Sequence, residues 1–251
     1  MLHNLFAAPQ WGHLPDVVII GAPKCATTSL YAYLSRHELF APARRKEVHY
    51  FDENFERGPD WYRRQFPAIE RPQITGEAST AYLFSKPAPA RAAALVPAVK
   101  IVAILRDPVR RVLSHYWHNV RRGRLNGDFD SHFREALSAN HARETSQARL
   151  FTYYPVQWGF YREQIERWFG HFPREQFLFL RFETFVANTG AEMRRVFQFL
   201  ELPSIAIPHG EVFNASPPYA VADNDVTRRL AEIYRKENAG LDRLIGPEFV
   251  W

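Results

Sequence analysis

The chain has 251 residues, 46% hydrophobic and 15% aromatic, which is enough apolar material for one substantial core and too much for a disordered protein. Its 32 Lys and Arg against 27 Asp and Glu leave a net charge of +5, a balance that suits an anionic ligand without demanding nucleic acid. The single cysteine, Cys25, excludes an intramolecular disulfide and a Cys-rich zinc site, and a reducing, cytoplasmic setting is expected.

The opening MLHNLFAAPQWGHLP has no basic stretch followed by an apolar core of about 7–15 residues, so it does not read as a secretory signal. Residues 1–15 are expected to form an N-terminal extension and residues 16–251 one domain. No apolar run approaches the roughly 18–20 residues of a membrane helix, so no membrane insertion is expected.

The run Asp16-Val-Val-Ile-Ile-Gly21 is short, β-branched and apolar throughout, as strands buried in a parallel sheet are. It stops at Gly21-Ala-Pro-Lys24, and Thr27 to Arg36 then reads as a helix. A second buried strand is expected at Lys100–Leu105. It ends in Arg106-Asp107-Pro108, where Asp107 can cap a helix and Pro108 suits its first position, and that helix is expected to reach about Arg122. Further helices are expected over Val156–Gly170 and Thr189–Leu200, with a third strand at Gln176–Arg181 between them. An amphipathic helix over Asn224–Leu244 would place Leu230, Ile233, Tyr234, Leu241 and Leu244 roughly on one face. Strands separated by helices, with no repeat or dividing linker, indicate a single-domain α/β fold: a parallel β-sheet flanked by helices.

Chemistry concentrates in three places. The first is the loop Gly21-Ala-Pro-Lys24-Cys25-Ala26-Thr27-Thr28-Ser29. Amides at a helix N-terminus point outward unpaired, the helix dipole favours negative charge there, three hydroxyls add donors, and Lys24 adds a mobile cation. These are the parts of a phosphate cradle, although a plain strand-to-helix turn capped by threonine would use the same residues. A Walker A loop would carry its lysine directly before the hydroxyl residue, whereas Lys24 stands three residues before Thr27. The second is Arg106 at a strand end with Ser114 eight residues on, a charged fork of donors and a hydroxyl that a short turn could bring together. The third is Lys46-Glu47-Val-His49-Tyr50-Phe51-Asp52, where Glu47 and His49 are both candidate bases.

Pro23-Lys24-Cys25-Ala26-Thr27-Thr28-Ser29-Leu30 resembles the 5′-phosphosulfate loop (PKxGTTxL) of the sulfotransferases that use 3′-phosphoadenylyl sulfate (PAPS), with Ala26 in place of the usual glycine. Ile104-Leu-Arg106 through Ser114-His-Tyr116 is similar to the family's 3′-phosphate motif, which implies that Arg106 and Ser114 hold that phosphate. The 46–52 segment resembles the KE-x-H-[FY]-F motif of the heparan-sulfate branch, which implies that Glu47 is the base. Trp61-Tyr62, Phe66-Pro67, Gly76-Glu77-Ala-Ser79, Phe172-Pro173, Glu183 and Tyr234…Gly246 extend the likeness over most of the chain. Ala78, however, stands where heparan sulfate enzymes carry a lysine.

The resemblance implies a P-loop NTPase-like sulfotransferase fold and transfer of a sulfuryl group from PAPS to a hydroxyl or amine of a carbohydrate, lipid or natural-product acceptor, with 3′,5′-ADP released. Lys24 would stabilise the leaving phosphate, and the backbone and hydroxyls of Cys25 to Ser29 would hold it. The loop Phe213–Tyr219 would cover the nucleotide. The histidines show no ligand spacing, so no metal is expected. Two other readings compete: a nucleotide-dependent kinase, which would require magnesium and ignore a 3′-phosphate, and a nucleic-acid binder using Arg121-Arg-Gly-Arg124. The second ranks last because its arginines are scattered among acids and no nucleic-acid module is present.

Overall fold

The computed structural model describes residues 12–126, 128–138, 154–207 and 223–251. The first strand, β1 (Val17–Gly21), is buried along its whole length because every one of its side chains has an apolar layer to enter. It is the middle strand of five, in the order β2-β3-β1-β4-β5, and every neighbouring pair is parallel. The other strands are β2 (Phe40–Pro42), β3 (Ile74–Ala78), β4 (Lys100–Leu105) and β5 (Phe177–Arg181). Val17 lies opposite Gly76 on one side and Lys100 on the other, and Ile101 lies opposite Phe177. The loops after β3, β1 and β4 therefore leave the sheet at one carboxyl edge, where open α/β sheets bind their ligands.

Helix α1 (Thr27–Leu34) follows β1, and α2 (Pro59–Arg63) and α3 (Ala88–Leu95) flank β3 in sequence. Helix α4 (Pro108–Arg121) leaves β4 as expected, with Pro108 at its first position and the Asp107 carboxylate accepting the Arg110 amide at 2.8 Å. Helices α5 (Phe129–Ser138), α6 (Tyr154–Gln157) and α7 (Tyr161–Phe169) follow, then α8 (Phe182–Ala187) and α9 (Thr189–Phe199) after β5. The chain closes with α10 (Asp225–Glu237), started by a reciprocal Asn224–Thr227 capping box, and α11 (Leu241–Ile245). One apolar cluster surrounds the sheet. A second, around Val112, Tyr116, Phe133, Leu230 and Tyr234, packs α4 against α5 and α10 and so fixes α4 from the side away from the sheet. Among the described residues no helix is long and apolar enough to cross a membrane.

Two expected helices are each broken once. The Val156–Gly170 run is interrupted at Trp158-Gly159-Phe160, where Tyr234 and Pro108 approach so closely that a Cβ on Gly159 would lie 2.6 Å from the Tyr234 ring. The Asn224–Leu244 run breaks at Asn238-Ala239-Gly240, where Gly240 takes φ +86°, and Leu241 and Leu244 belong to α11. Asn238 joins the two breaks by donating to the Gly159 carbonyl at 2.8 Å and accepting the Arg162 amide at 3.2 Å. Strands β2 and β3 were not foreseen. The first is only three residues long, and the second carries Gly76 and Glu77 in its interior, which read as polar sequence.

Candidate active site

The loop after β1 is tied into the sheet by the Ala22 amide, which donates to the Ile104 carbonyl of β4 at 2.8 Å. Lys24 and Ala26 both take left-handed backbone conformations, φ +69° and +63°. Ala26 is the N-cap of α1 and no side chain caps that helix. The Cys25 side chain points into the core, where burial pushes its thiol up to about 12, so only its backbone is available to a ligand. Thr27 and Ser29 are buried and Thr28 is half-buried.

A left-handed alanine is strained by roughly 1–2 kcal/mol, against which glycine's extra chain entropy costs about 0.5–1 kcal/mol. Ala26→Gly is therefore expected to stabilise the protein by about 0.5–1 kcal/mol, seen as a rise in melting temperature of roughly 2 °C. A fall in melting temperature would show that the Ala26 methyl packs better than this strain costs.

Arg106 leaves β4 beside this loop. Its guanidinium donates to the Lys24 carbonyl at 3.3 Å and stacks 4.2 Å from the Phe182 ring, while its buried Nε has no partner. Tyr161 donates to the Arg106 carbonyl at 2.9 Å, and the Glu183 carboxylate accepts the next amide, Asp107, at 3.0 Å. Ser114 is buried two turns further along α4. One turn before it, Arg111 is fully buried with Nε and Nη1 unpartnered and only Nη2 donating, to the Pro155 carbonyl. Lys24 feels this surplus of cations. Burial and then the charges of Arg121, Arg106 and Arg122 lower its pKa from 10.5 to about 8. Such uncompensated positive charge fits a ligand carrying several phosphates.

The 46–52 segment meets the same edge through the turn after β3. The Glu47 carboxylate accepts from the Thr80 amide at 3.0 Å and the Thr80 hydroxyl at 2.9 Å, from Lys46 at 3.1 Å, and from His49 Nε2 at 3.2 Å. Burial alone would raise its pKa, but the His49 bond, the Lys46 charge and the Thr80 amide override it and hold the group at about 2. His49 is gripped from its other nitrogen by Asp52 at 2.9 Å. The bonds to Asp52 and Glu47 raise it to about 10, so it is an imidazolium near neutral pH. Spacing in the sequence showed no metal ligands, yet the fold does gather ligand atoms of His49, Asp52 and Glu53 within 4.8 Å. A protonated His49 has no lone pair to offer an ion there.

The turns after β1 and β3 interlock. The Ser79 amide donates to the Ile19 carbonyl at 3.1 Å and the Leu83 amide to the Ile20 carbonyl at 2.9 Å. The strand pairing thus brings Lys24, Arg106 and Glu47 to one edge of the sheet, while Ser114 lies deeper on α4. Thr80 and Asp52, the two groups that orient Glu47 and His49, have no signature of their own in the sequence. Thr80 could have been noticed only by extending the Gly76–Ser79 likeness one residue. The nucleotide-covering loop expected at Phe213–Tyr219 lies outside the described residues.

A parallel α/β sheet with a lysine-bearing strand–turn–helix after its first strand and a carboxylate beside it is a P-loop-like arrangement. The family model for the sulfotransferase domain matches residues 14–214, and the chain belongs to that family and is a transferase. Human heparan sulfate glucosamine 3-O-sulfotransferase 3B1 is 28% identical over 273 residues, covering 100% of this chain and 68% of the relative. The human 3A1 protein of the same name is 29% identical over 261 residues, covering 95% of this chain and 62% of its own length. The crystal structure of a sulfotransferase from Alicyclobacillus acidocaldarius superposes with a TM-score of 0.76 at 28% identity, covering 93% of this chain and 96% of the other.

Proposed function

We propose that this sulfotransferase takes its sulfuryl group from PAPS and gives it to a hydroxyl or amine of a carbohydrate-type acceptor, releasing 3′,5′-ADP. The observation that carries this reading is an ionised, firmly oriented Glu47 at the same sheet edge as the cation-rich loop of Lys24. PAPS supplies an activated sulfuryl group on a bisphosphate. The amides from Cys25 to Ser29 and the hydroxyls of Thr27, Thr28 and Ser29 bind its 5′-phosphate, and Arg106 and Ser114 its 3′-phosphate. Lys24 neutralises charge that grows on the leaving phosphate oxygen. Glu47 takes the acceptor's proton. His49, held as an imidazolium between two carboxylates, orients Glu47 rather than acting as a second base.

A carboxylate with a pKa of about 2 is a weak base while all its bonds stand. His49 is held from its other nitrogen by Asp52, so the Lys46 bond is the one an incoming acceptor displaces. Losing that cation strengthens the base at the moment the acceptor arrives. An acceptor with acidic groups of its own is favoured by exposed Arg121, Arg122 and Arg124 at the end of α4, near enough that the first two depress the pKa of Lys24. The heparan sulfate named for the human relatives has that chemistry. We take residues 16–251 as one catalytic domain, because α10 and α11 pack on the helices that frame the site. We assign it to the cytoplasm, a reducing setting compatible with a chain that has one cysteine and no disulfide of its own.

The donor is tested by calorimetric titration with 3′,5′-ADP, 5′-ADP and ATP–magnesium. Preference for 3′,5′-ADP, weakened about 10–100-fold by Arg106→Ala, is the expected result. Equal affinity for 5′-ADP, or preference for ATP–magnesium, would bring a kinase forward. Strongly salt-dependent binding of a DNA duplex with no nucleotide preference would bring forward a nucleic-acid binder.

A further inference from the structure

We propose that Glu77 is the positioning residue of the base: through Ser79 and Tyr82 it fixes the backbone from Val48 to Phe51, and with it the place of Glu47. The inference rests on the reading of Glu47 as base. Glu77 is buried in the middle of β3, and three hydroxyls converge on its carboxyl group. Ser79 donates to Oε2 at 2.5 Å, and Tyr62 and Tyr82 donate to Oε1 at 2.7 and 2.9 Å. Two of these hydroxyl oxygens also accept amides from the base segment. Ser79 Oγ accepts from Val48 and His49, both at 3.0 Å, and the Tyr82 oxygen accepts from Tyr50 at 2.7 Å and Phe51 at 3.3 Å.

Proton counting fixes the direction of the Ser79 and Tyr82 bonds. A hydroxyl that accepts two amides has its lone pairs engaged, so its single proton must go to Glu77. Two of the three hydroxyl protons therefore point at the carboxyl group, one at each oxygen, and only the Tyr62 oxygen, which takes no loop amide, could accept a proton from Glu77. Both bonds stand whether Glu77 is ionised or, as burial favours by raising its pKa, protonated toward Tyr62. A carboxyl group in this position is held by its hydroxyls, and their oxygens in turn hold four consecutive amides. Arg91 clamps the far end of the segment, donating to the Phe51 and Asp52 carbonyls at 2.9 and 3.3 Å while stacking 4.2 Å from Phe55. The catalytic loop thus stands on an inner carboxyl group that the substrate never touches.

In Glu77→Gln one end of the side chain becomes a donor. Whichever way the amide faces, either Ser79 or Tyr82 loses the acceptor for its proton, and a hydroxyl must turn away from the loop. The test compares Glu77→Gln, Ser79→Ala and Tyr82→Phe with Tyr62→Phe, which removes a donor to Glu77 but no acceptor of a loop amide. The assay follows 3′,5′-ADP released from PAPS, with heparan sulfate and with water alone as acceptor, so chemistry is read even with a poor acceptor. Amide hydrogen exchange over residues 48–51 reads the loop directly.

The first three variants are expected to lose about tenfold or more in kcat, with 3′,5′-ADP affinity within about threefold of the parent, and to exchange the loop amides faster. Tyr62→Phe should lose clearly less. Unchanged loop exchange in Glu77→Gln overturns the proposal. So does kcat within about threefold of the parent in folded Ser79→Ala and Tyr82→Phe, or nucleotide affinity falling in step with kcat. Glu47→Gln measured in parallel separates the two ideas. If it stays active, the base assignment fails while the exchange data still decide the role of Glu77. If it is inactive and the loop variants are not, positioning by Glu77 fails.

Discussion

Glu47→Gln is expected to lower turnover by about 10²–10⁴-fold while 3′,5′-ADP binds as before, within about threefold. The amide is nearly isosteric and can still accept from Thr80, so the loop keeps its shape, but it has no charge and cannot take a proton. Loss confined to kcat is the mark of an interaction made in the transition state. The pH dependence separates the two candidate bases. With its pKa near 2, Glu47 is ionised throughout the neutral range, so activity resting on it should be flat between about pH 5 and 8. His49 is protonated up to about 10, so activity resting on a neutral imidazole would climb steadily toward that pH. A flat profile together with an inactive Glu47→Gln supports the assignment; a rising profile with Glu47→Gln active would transfer the role to His49.

Lys24→Met is expected to cost about 10²–10³-fold in turnover, because it removes a cation aimed at charge that develops only as the sulfuryl group leaves. Its effect on binding should depend on pH in a definite direction. The pKa of Lys24 is lowered to about 8 by burial and neighbouring arginines, and an anionic nucleotide favours the charged form and so raises it. Below about 8 the lysine is already protonated and affinity is at its maximum. Above it each nucleotide must bring in a proton, so affinity for 3′,5′-ADP falls by up to about tenfold per pH unit until the bound-state pKa is reached. The other groups facing Lys24 do not titrate there. His115 and His118 are held at about 3 and 4, mainly by burial, and Cys25 at about 12. Calorimetry between pH 7 and 10 should show the fall in the parent protein and none in Lys24→Met. An equal fall in both would remove Lys24 from the donor site.

Much of this arrangement is written locally. The turn after β1 is legible because an apolar strand, a loop with a lysine and a hydroxyl-rich helix start follow one another within about a dozen residues, and the stop at Arg106-Asp107-Pro108 because proline and an N-cap act within one turn. The broken helices were not legible. The break at Gly159 sits where Tyr234, far along the chain, leaves no room for a side chain, and no local pattern carries that information. Strand β3 was hidden for a related reason. Glu77 is a poor strand residue in isolation, and its place inside a sheet is sustained only by Ser79, Tyr62 and Tyr82.

The sequence by itself determined the class of fold and the strand–turn–helix after β1, and it put forward Lys24, Glu47, His49, Arg106 and Ser114 as chemical groups, since each depends on residue type and short-range spacing. Tertiary structure decided their states. Whether His49 is a base or an imidazolium depends on Asp52 and Glu47 meeting its two nitrogens, and whether Lys24 is fully charged depends on its burial and then on arginines gathered from the ends of β4 and α4. Protonation is set by burial and by charges within a few ångströms, and those distances exist only once strands distant in sequence lie side by side.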